Sequence, residues 1–289
     1  MNTSSYVVVT GSAGFIGSRL MSALRAGGVH ATGVDIRGGL GATALDIRHP
    51  IGPGVFDGVD TVVHLAALAG VRPSMLDPRT YADTNVLGTA NVLAAAAQAG
   101  VRRVVVASSS SVYGECPRPA REGRRLEPLS PYARTKSAAE ALVASYADCL
   151  EIVVVRPFTV YGPGQRTDML IGKLLRGEAV TLWPFIRDFT FVDDVVAALV
   201  GSIGARKRER VDVYNLGSGR PVTAAELLTT IAEVTGFLPD VEVCEPRPFE
   251  PRQTWADPRQ ARTHLGMPEP TSLLDGIASQ AAEMAVVAA

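Results

Sequence analysis

Tyr132 and Lys136 stand four residues apart in the run Ser130-Pro-Tyr-Ala-Arg-Thr-Lys136. Ser130 suits a helix N-cap and Pro131 the first helical position, so the two side chains would share one face of a helix. A phenol beside an ammonium suits redox chemistry at a carbinol, where a base takes the hydroxyl proton as hydride leaves. The phenol pKa must then fall from about 10 toward neutrality, roughly 4 kcal/mol of stabilisation and more than an exposed ammonium supplies. The pair therefore calls for a partly dry site and a second positive charge; without a cofactor, the same spacing is an ordinary surface helix pair. Farther back, Ser108-Ser-Ser-Ser111-Val-Tyr-Gly114 follows the Val-rich run Val104–Ala107. That is where open α/β sheets collect ligands, so its hydroxyls are either turn residues or hydrogen-bond partners of a reacting oxygen.

A cofactor motif opens the chain. Thr10-Gly-Ser-Ala-Gly-Phe-Ile-Gly17 follows the run Tyr6–Thr10, with Gly11, Gly14 and Gly17 entering a helix-like segment. Backbone without Cβ turns tightly and approaches a pyrophosphate, whose charge the free N–H groups at the helix start, including those of Phe15 and Ile16, would stabilise. Asp35 closes the second apolar run. A carboxylate there accepts both hydroxyls of an adenosine ribose and repels a 2′-phosphate, which favours NAD over NADP. Arg37 works the other way if its guanidinium pairs with that phosphate; otherwise it is a solvated loop residue.

Short apolar runs alternate with longer helix-like segments to position these groups. Tyr6–Thr10, Ala31–Val34, Thr61–Leu65, Val104–Ala107 and Ile152–Val155 are continuous apolar runs of the kind parallel strands buried on both faces require. Between them, Phe15–Ala26, Ala82–Ala99 and Pro131–Ala147 carry helical spacing. The alternation predicts an α/β fold, a Rossmann-type doubly wound parallel sheet with a smaller C-terminal substrate-binding lobe. Residues 1–157 would hold the dinucleotide, about 187–217 would return to that domain, and 158–289 would mainly form the lobe.

Composition narrows the partners. With 289 residues, 47% of them apolar, the chain can bury a sizeable core, and a formal charge of -1 gives no field for nucleic acid or an anionic membrane. Cys116, Cys149 and Cys244 lie far apart, without the spacing of a zinc site or disulfide framework, so no metal is expected. The N-terminus lacks a basic leader and no apolar run reaches membrane length, which predicts a cytoplasmic enzyme.

Taken in order, these motifs and others resemble the extended short-chain dehydrogenase/reductases of the NAD-dependent sugar epimerase/dehydratase family. The others are Asp46-Ile47-Arg48, His64-Leu-Ala-Ala67, Asn85-Val-Leu-Gly-Thr89, Arg156-Pro157, Arg187–Asp194 and Asn215–Gly219. The resemblance implies adenine contacts from Asp46 and Ile47, and a pyrophosphate and ribose path along Leu65, Ala66 and Ala67. It puts Pro157 beside the cofactor and Asn85 either near it or under its helix. Ser109 takes the position of the Ser/Thr that hydrogen-bonds the reacting oxygen and the Tyr132 hydroxyl. A homodimer through helices around residues 85–99 and 131–147 is also implied.

Two stretches are most similar to UDP-glucuronate 4-epimerases, His64–Ser74 and Arg156–Met169. Dehydratases and decarboxylating relatives carry a carboxylate before Val-Tyr-Gly; here Ser110 and Ser111 stand there, which argues against elimination of water. Thr159 replaces the Asn of galactose-type enzymes. It is either a β-branched strand residue or, with Ser109, Ser110 and Ser111, a hydroxyl donor to a uronate carboxylate to which Arg166 adds charge. The resemblance assigns Arg187 and Arg247 to a nucleotide diphosphate, Glu250 to a ribose, and Gln165 to the same neighbourhood. The chain departs from the pattern in two places. Leu-Trp-Pro-Phe-Ile, between Thr181 and Arg187, replaces a longer Gly-rich loop, and the helix between Met169 and Gly177 is shortened. Trp183 and Phe185 then either stack on the base or pack inside. The activity implied is a 4-epimerase of a nucleotide-diphosphate sugar, UDP-glucuronate first. An NDP-4-keto-6-deoxyhexose reductase consuming NAD(P)H and a non-catalytic dinucleotide binder are the other readings.

Overall fold

The computed structural model describes residues 5–39 and 42–288; residues 1–4, the start of the stretch expected to lack a basic leader, lie outside them. Six strands come first: β1 (Tyr6–Thr10), β2 (His30–Asp35), β3 (Ala42–Ala44), β4 (Thr61–His64), β5 (Arg103–Ala107) and β6 (Glu151–Pro157). Next come β7 (Thr159–Tyr161), β8 (Val180–Leu182), β9 (Ile186–Phe191), β10 (Val211–Leu216), β11 (Pro221–Thr223) and β12 (Val241–Val243). Seven of them make one parallel sheet in the order β10-β6-β5-β4-β1-β2-β3. The chain winds outward from β1 in both directions, so the order reverses between β1 and β4. That crevice is where such sheets bind ligands.

Alternate valines face opposite layers. Val7, Val9, Val63, Val105 and Val153 pack against Leu20 and Leu24 of helix Phe15–Ala26 and against Val195 and Leu199 of helix Val192–Gly204. Val8, Val62, Val104, Val106 and Val154 meet Val92, Leu93 and Ala96 of helix Gly88–Gln98 and Val143 of helix Pro131–Ala144. Burial on both faces explains why these strands read as unbroken apolar runs. In register, Thr10 lies beside His64 and Val34, and Ala107 beside Val155, which brings the strand ends to one rim.

The helical run expected over 82–99 starts earlier, where Asp77 accepts from Thr80 N and Pro78 takes the first position of helix Pro78–Ala82. A π-turn, Asp83–Leu87, joins it to helix Gly88–Gln98. The lobe holds a three-stranded sheet, β11-β9-β7, and the pair β12-β8. Tyr161, Ile171, Leu174, Leu182, Trp183, Phe185, Phe189, Leu227 and Ile277 form its core. The segment 187–217 thus divides: β9 belongs to the lobe sheet, whereas helix Val192–Gly204 and β10 lie on the large sheet. Among the described residues no helix is long and apolar enough to cross a membrane.

Candidate active site

Gly11 turns the chain at the end of β1 with φ +71°, and a Cβ there would stand 2.6 Å from the Ala66 nitrogen. On Gly17 a Cβ would collide with the Gly11 carbonyl oxygen. Gly11 is therefore demanded by packing of the turn on Leu65 and Ala66, and Gly17 by packing of the helix start on the turn itself. Helix Phe15–Ala26 begins at Gly14 with no side-chain cap, which leaves the N–H groups of its first turn for an anion. One Asp35 oxygen accepts from Ala13 N and the other from Arg37 N, each at 3.0 Å. The Arg37 guanidinium folds back on Asp35 and on the Ala13 carbonyl, so it is engaged rather than free for a 2′-phosphate. These residues fit a dinucleotide: a glycine turn pressed on the next loop, an open helix start, and a carboxylate at the neighbouring strand end.

The outer adenine candidates, Asp46 and Ile47, have partners within the chain. Arg48 grips the Asp46 carboxylate, Nη2 to Oδ2 at 2.6 Å, and holds its pKa down at about 2. The Ile47 side chain is buried in the core beneath Gly88, and its carbonyl accepts from Asn91 Nδ2 at 2.8 Å. Contact from Ile47 to a base would therefore come past its main chain, not its side chain. Pro157 ends β6 beside Leu216, and Ala67 continues the loop after β4.

A directed chain of hydrogen bonds crosses the switch point. Ala66 N donates to Thr10 Oγ1 at 3.3 Å; Thr10 Oγ1 meets His64 Nδ1 at 2.7 Å; His64 Nε2 meets Thr89 Oγ1 at 3.0 Å; Thr89 donates to the Asn85 carbonyl at 2.7 Å. Because the Thr89 proton goes to Asn85, His64 must carry its own on Nε2 and accept from Thr10 at Nδ1. Burial, helped by the Lys136 charge, pushes His64 down to about 3 and keeps it neutral. The Asn85 amide accepts from Leu68 N and donates to the Leu68 carbonyl and to Thr135 Oγ1, whose own proton goes to the Tyr132 carbonyl. These bonds tie Asn85 to the loop after β4 and to helix Pro131–Ala144.

Helix Pro131–Ala144 starts as its sequence suggests: Ser130 Oγ accepts from Ala133 N at 3.2 Å. Ser74 Oγ takes the Tyr132 N–H at 3.1 Å. Lys136 Nζ reaches the end of β5 and donates to the Ala107 carbonyl at 2.8 Å; burial lowers it to about 8, against the opposing charge of Glu140. Ser109 lies against the Tyr132 hydroxyl and favours phenolate, but burial outweighs it and raises the Tyr132 pKa. The sequence required a fall toward neutrality. Side chains of this site alone do not produce it, which leaves that fall to a cation brought in with the cofactor. Ser109 Oγ also accepts from Ser111 N at 3.2 Å and Ser111 Oγ at 2.9 Å, and the buried Ser110 opens the short turn Ser110–Tyr113.

Toward the lobe, Arg187 donates to the carbonyls of Ile186 and Arg252 at 3.0 Å and of Pro251 at 2.6 Å, and lies 5.3 Å from the Phe185 ring centre. Burial depresses it to about 10, against the charges of Glu250 and Glu115. A desolvated guanidinium held by neutral carbonyls is a ready partner for phosphate oxygens. Glu250 accepts from Arg72 Nε at 2.9 Å, with Arg247 Nη1 at 4.0 Å. Arg72 and Arg247 both lie over Trp183, at 5.5 and 6.0 Å from its ring centre. Trp183 and Phe185 are buried in the lobe core, so they form the floor of the site and do not protrude as base-stacking groups. Two substrate candidates are otherwise engaged. Gln165 donates to the Val160 carbonyl at 2.9 Å and accepts from Gln280 at 3.2 Å, which makes it a loop staple. Arg166 is exposed and paired with Asp168, Nε to Oδ1 at 2.9 Å. Thr159 opens β7, half-buried.

The model of the NAD dependent epimerase/dehydratase family matches residues 7–217. The chain belongs to that family. A UDP-glucuronate 4-epimerase of Thermodesulfobacterium geofontis is 35% identical over 230 residues, which cover 76% of this chain and 70% of that one. Among solved structures, MoeE5 in complex with UDP-glucuronic acid and NAD superposes with a TM-score of 0.92 at 41% identity, over 98% of this chain and 100% of that chain. UDP-glucuronic acid 4-epimerase from Bacillus cereus, in complex with UDP-glucuronic acid and NAD, gives a TM-score of 0.89 at 30% identity, over 98% and 99% of the two chains.

The arrangement brings the Tyr132 phenol and the Ser109 hydroxyl together, with Lys136 on the same helix as Tyr132 and Arg72, Arg187 and Arg247 toward the lobe. Residues that sequence reasoning did not single out support it: Arg72, Ser74, Thr135, Glu140 and Gln280. Arg72 and Ser74 lay inside the quoted run His64–Ser74, and Glu140 follows Lys136 by one helical turn. Apart from Thr135, whose bond to the Tyr132 carbonyl spans three residues, their partners lie too far away in sequence to be paired from it.

Proposed function

We propose that this chain is an NAD-dependent UDP-glucuronate 4-epimerase. The observation that carries the reading is its likeness, over nearly its whole length, to solved structures that hold UDP-glucuronic acid and NAD. The hydroxyls of Thr159 and Ser110 support the uronate, since each can donate to a carboxylate without neutralising it, and Ser111, which now donates to Ser109, could do so after turning its hydroxyl. Gly11, Gly14, Gly17, the first turn of helix Phe15–Ala26 and Asp35 would hold NAD, with Asp35 and the engaged Arg37 favouring it over NADP. When bound, NAD supplies a reversible hydride acceptor for the sugar C4. Tyr132 accepts the 4-hydroxyl proton, Ser109 holds that oxygen, and Lys136 stabilises the phenolate. After the 4-keto sugar has turned its other face, Tyr132 returns the proton. Arg187 and Arg247 anchor the diphosphate through that rotation. A homodimer through the helices around 85–99 and 131–147, in the cytoplasm, completes the reading.

The test is incubation of the pure protein with UDP-glucuronate and no added cofactor. UDP-galacturonate should form over many turnovers with no net change at 340 nm, and Tyr132→Phe should slow it by about 10²–10⁴-fold with both ligands still bound. Stoichiometric NAD(P)H consumption on a 4-keto-6-deoxy sugar, with no uronate product, would transfer the assignment to a reductase.

A further inference from the structure

Helix Pro131–Ala144 carries one acidic residue facing inward, Glu140, one turn beyond Lys136. Both its oxygens are taken by Arg156 of β6, Oε1 from Nε at 2.9 Å and Oε2 from Nη2 at 2.6 Å. The pair is buried, with side-chain exposures of 6% for Arg156 and 10% for Glu140. Arg156 is also tied to the serine turn. Its Nη1 donates to the Tyr113 hydroxyl at 2.7 Å and to the Glu122 carbonyl at 2.8 Å, and its guanidinium lies 4.8 Å from the Tyr113 ring centre. Tyr113 closes the turn Ser110–Tyr113 and passes its own proton to Asn215 of β10. One guanidinium thus joins the helix that holds Tyr132 and Lys136 to the turn that follows Ser109.

We propose that Glu140, oriented by Arg156, is a positioning residue of the reaction: it supplies the counter-charge of the Lys136 ammonium, while Arg156 sets the serine turn against the same helix. The assignment rests on the catalytic role given above to Lys136. The groups facing that ammonium make the case. On its own helix stand Tyr132, neutral when protonated, and, one turn on, Glu140; β6 presents Arg156, a cation held on the Glu140 carboxylate; β4 presents neutral His64; β5 offers the Ala107 carbonyl; Tyr81, from helix Pro78–Ala82, meets Tyr132 edge-on. Glu140 is the one anion in this set. A buried ion pair is weak grounds for stability, because apolar residues of similar volume often replace one without loss. Its value here is the charge it holds beside Lys136.

The experiment follows NAD affinity and kcat against pH. In the unmodified protein both should decline on the alkaline side as Lys136 loses its proton. Glu140→Gln should move that decline about one pH unit lower, the effect of removing an anion one helical turn away, so that kcat at pH 8 falls about fivefold while KM for UDP-glucuronate holds. Since this variant leaves Arg156 buried without its partner, the double variant Glu140→Leu/Arg156→Leu is the second arm. It should melt close to the unmodified protein and shift in the same direction, by less, because the repulsion from the guanidinium disappears with the pair. Unshifted profiles in a folded variant would overturn the proposal, as would loss of folding in both, which would assign the pair to the fold alone. If the unmodified protein does not turn over UDP-glucuronate but the NAD profiles still shift, the substrate reading falls and this assignment stands.

Discussion

Lys136 Nζ donates to the Ala107 carbonyl at 2.8 Å, a neutral partner for a buried ammonium. The folded protein holds this lysine at about 8, against 10.5 in an ordinary setting. Between those values the unfolded chain binds a proton that the folded chain has released, so stability rises with pH across that window. Below about pH 8 the burial cost is present in full. Lys136→Met should therefore stabilise the cofactor-free protein by about 2 kcal/mol at pH 7, after allowing for the lost hydrogen bond, while abolishing turnover. The gain should fade between pH 8 and 10.5. Denaturant melts at several pH values check it; a destabilised variant at pH 7 would contradict the cost assigned to the ammonium.

Arg187 makes a second prediction, because its donors rest on main-chain carbonyls while burial depresses its pKa. Arg187→Gln should weaken UDP binding by roughly 1.5–3 kcal/mol, about 10- to 150-fold, the range for hydrogen bonds to a charged group. NAD affinity should stay the same, since its cradle lies on the far side of the sheet's switch point. Calorimetry with UDP and with NAD separates the two; equal loss for both ligands would point to general disruption of the lobe.

Thr159→Asn tests the carboxylate site. Activity on UDP-glucuronate should fall more than activity on UDP-glucose, by on the order of tenfold or more in the ratio of kcat/KM, since only the uronate offers the hydroxyl a charged partner. An unchanged ratio would leave the epimerase reading in place and remove Thr159 from that site.

Much of the cofactor half was legible because its signals are local. Strands β1, β4, β5 and β6 read as unbroken valine-rich runs since both faces are covered, and helix Phe15–Ala26 came out with the bounds expected from spacing and Gly27. Strand β3 escaped because Ala42–Ala44 is three residues long, half-exposed at a sheet edge, and paired on one side. The expected start of the helix near Ala82 missed Pro78, whose preceding Asp77 cap is a local signal that was available. In the lobe the difficulty was different in kind. Whether Glu250 faces a ribose or an arginine depends on Arg72, 178 residues away, and the fate of Gln165 depends on Gln280, 115 residues away. Residue type alone cannot tell a polar group offered to a ligand from one already satisfied.

The packing of helix Val192–Gly204 against helix Phe15–Ala26 has a consequence for synthesis. Leu20 and Leu24, made early, find Val195 and Leu199 only when the chain has grown some 170 residues longer, and β6 gains its outer neighbour β10 later still. A nascent chain that has left the ribosome with its glycine turn, acid and first four strands complete therefore still displays an apolar layer to water. The dinucleotide half matures late, after part of the lobe has already been translated, and that interval is when chaperones would have most to hold.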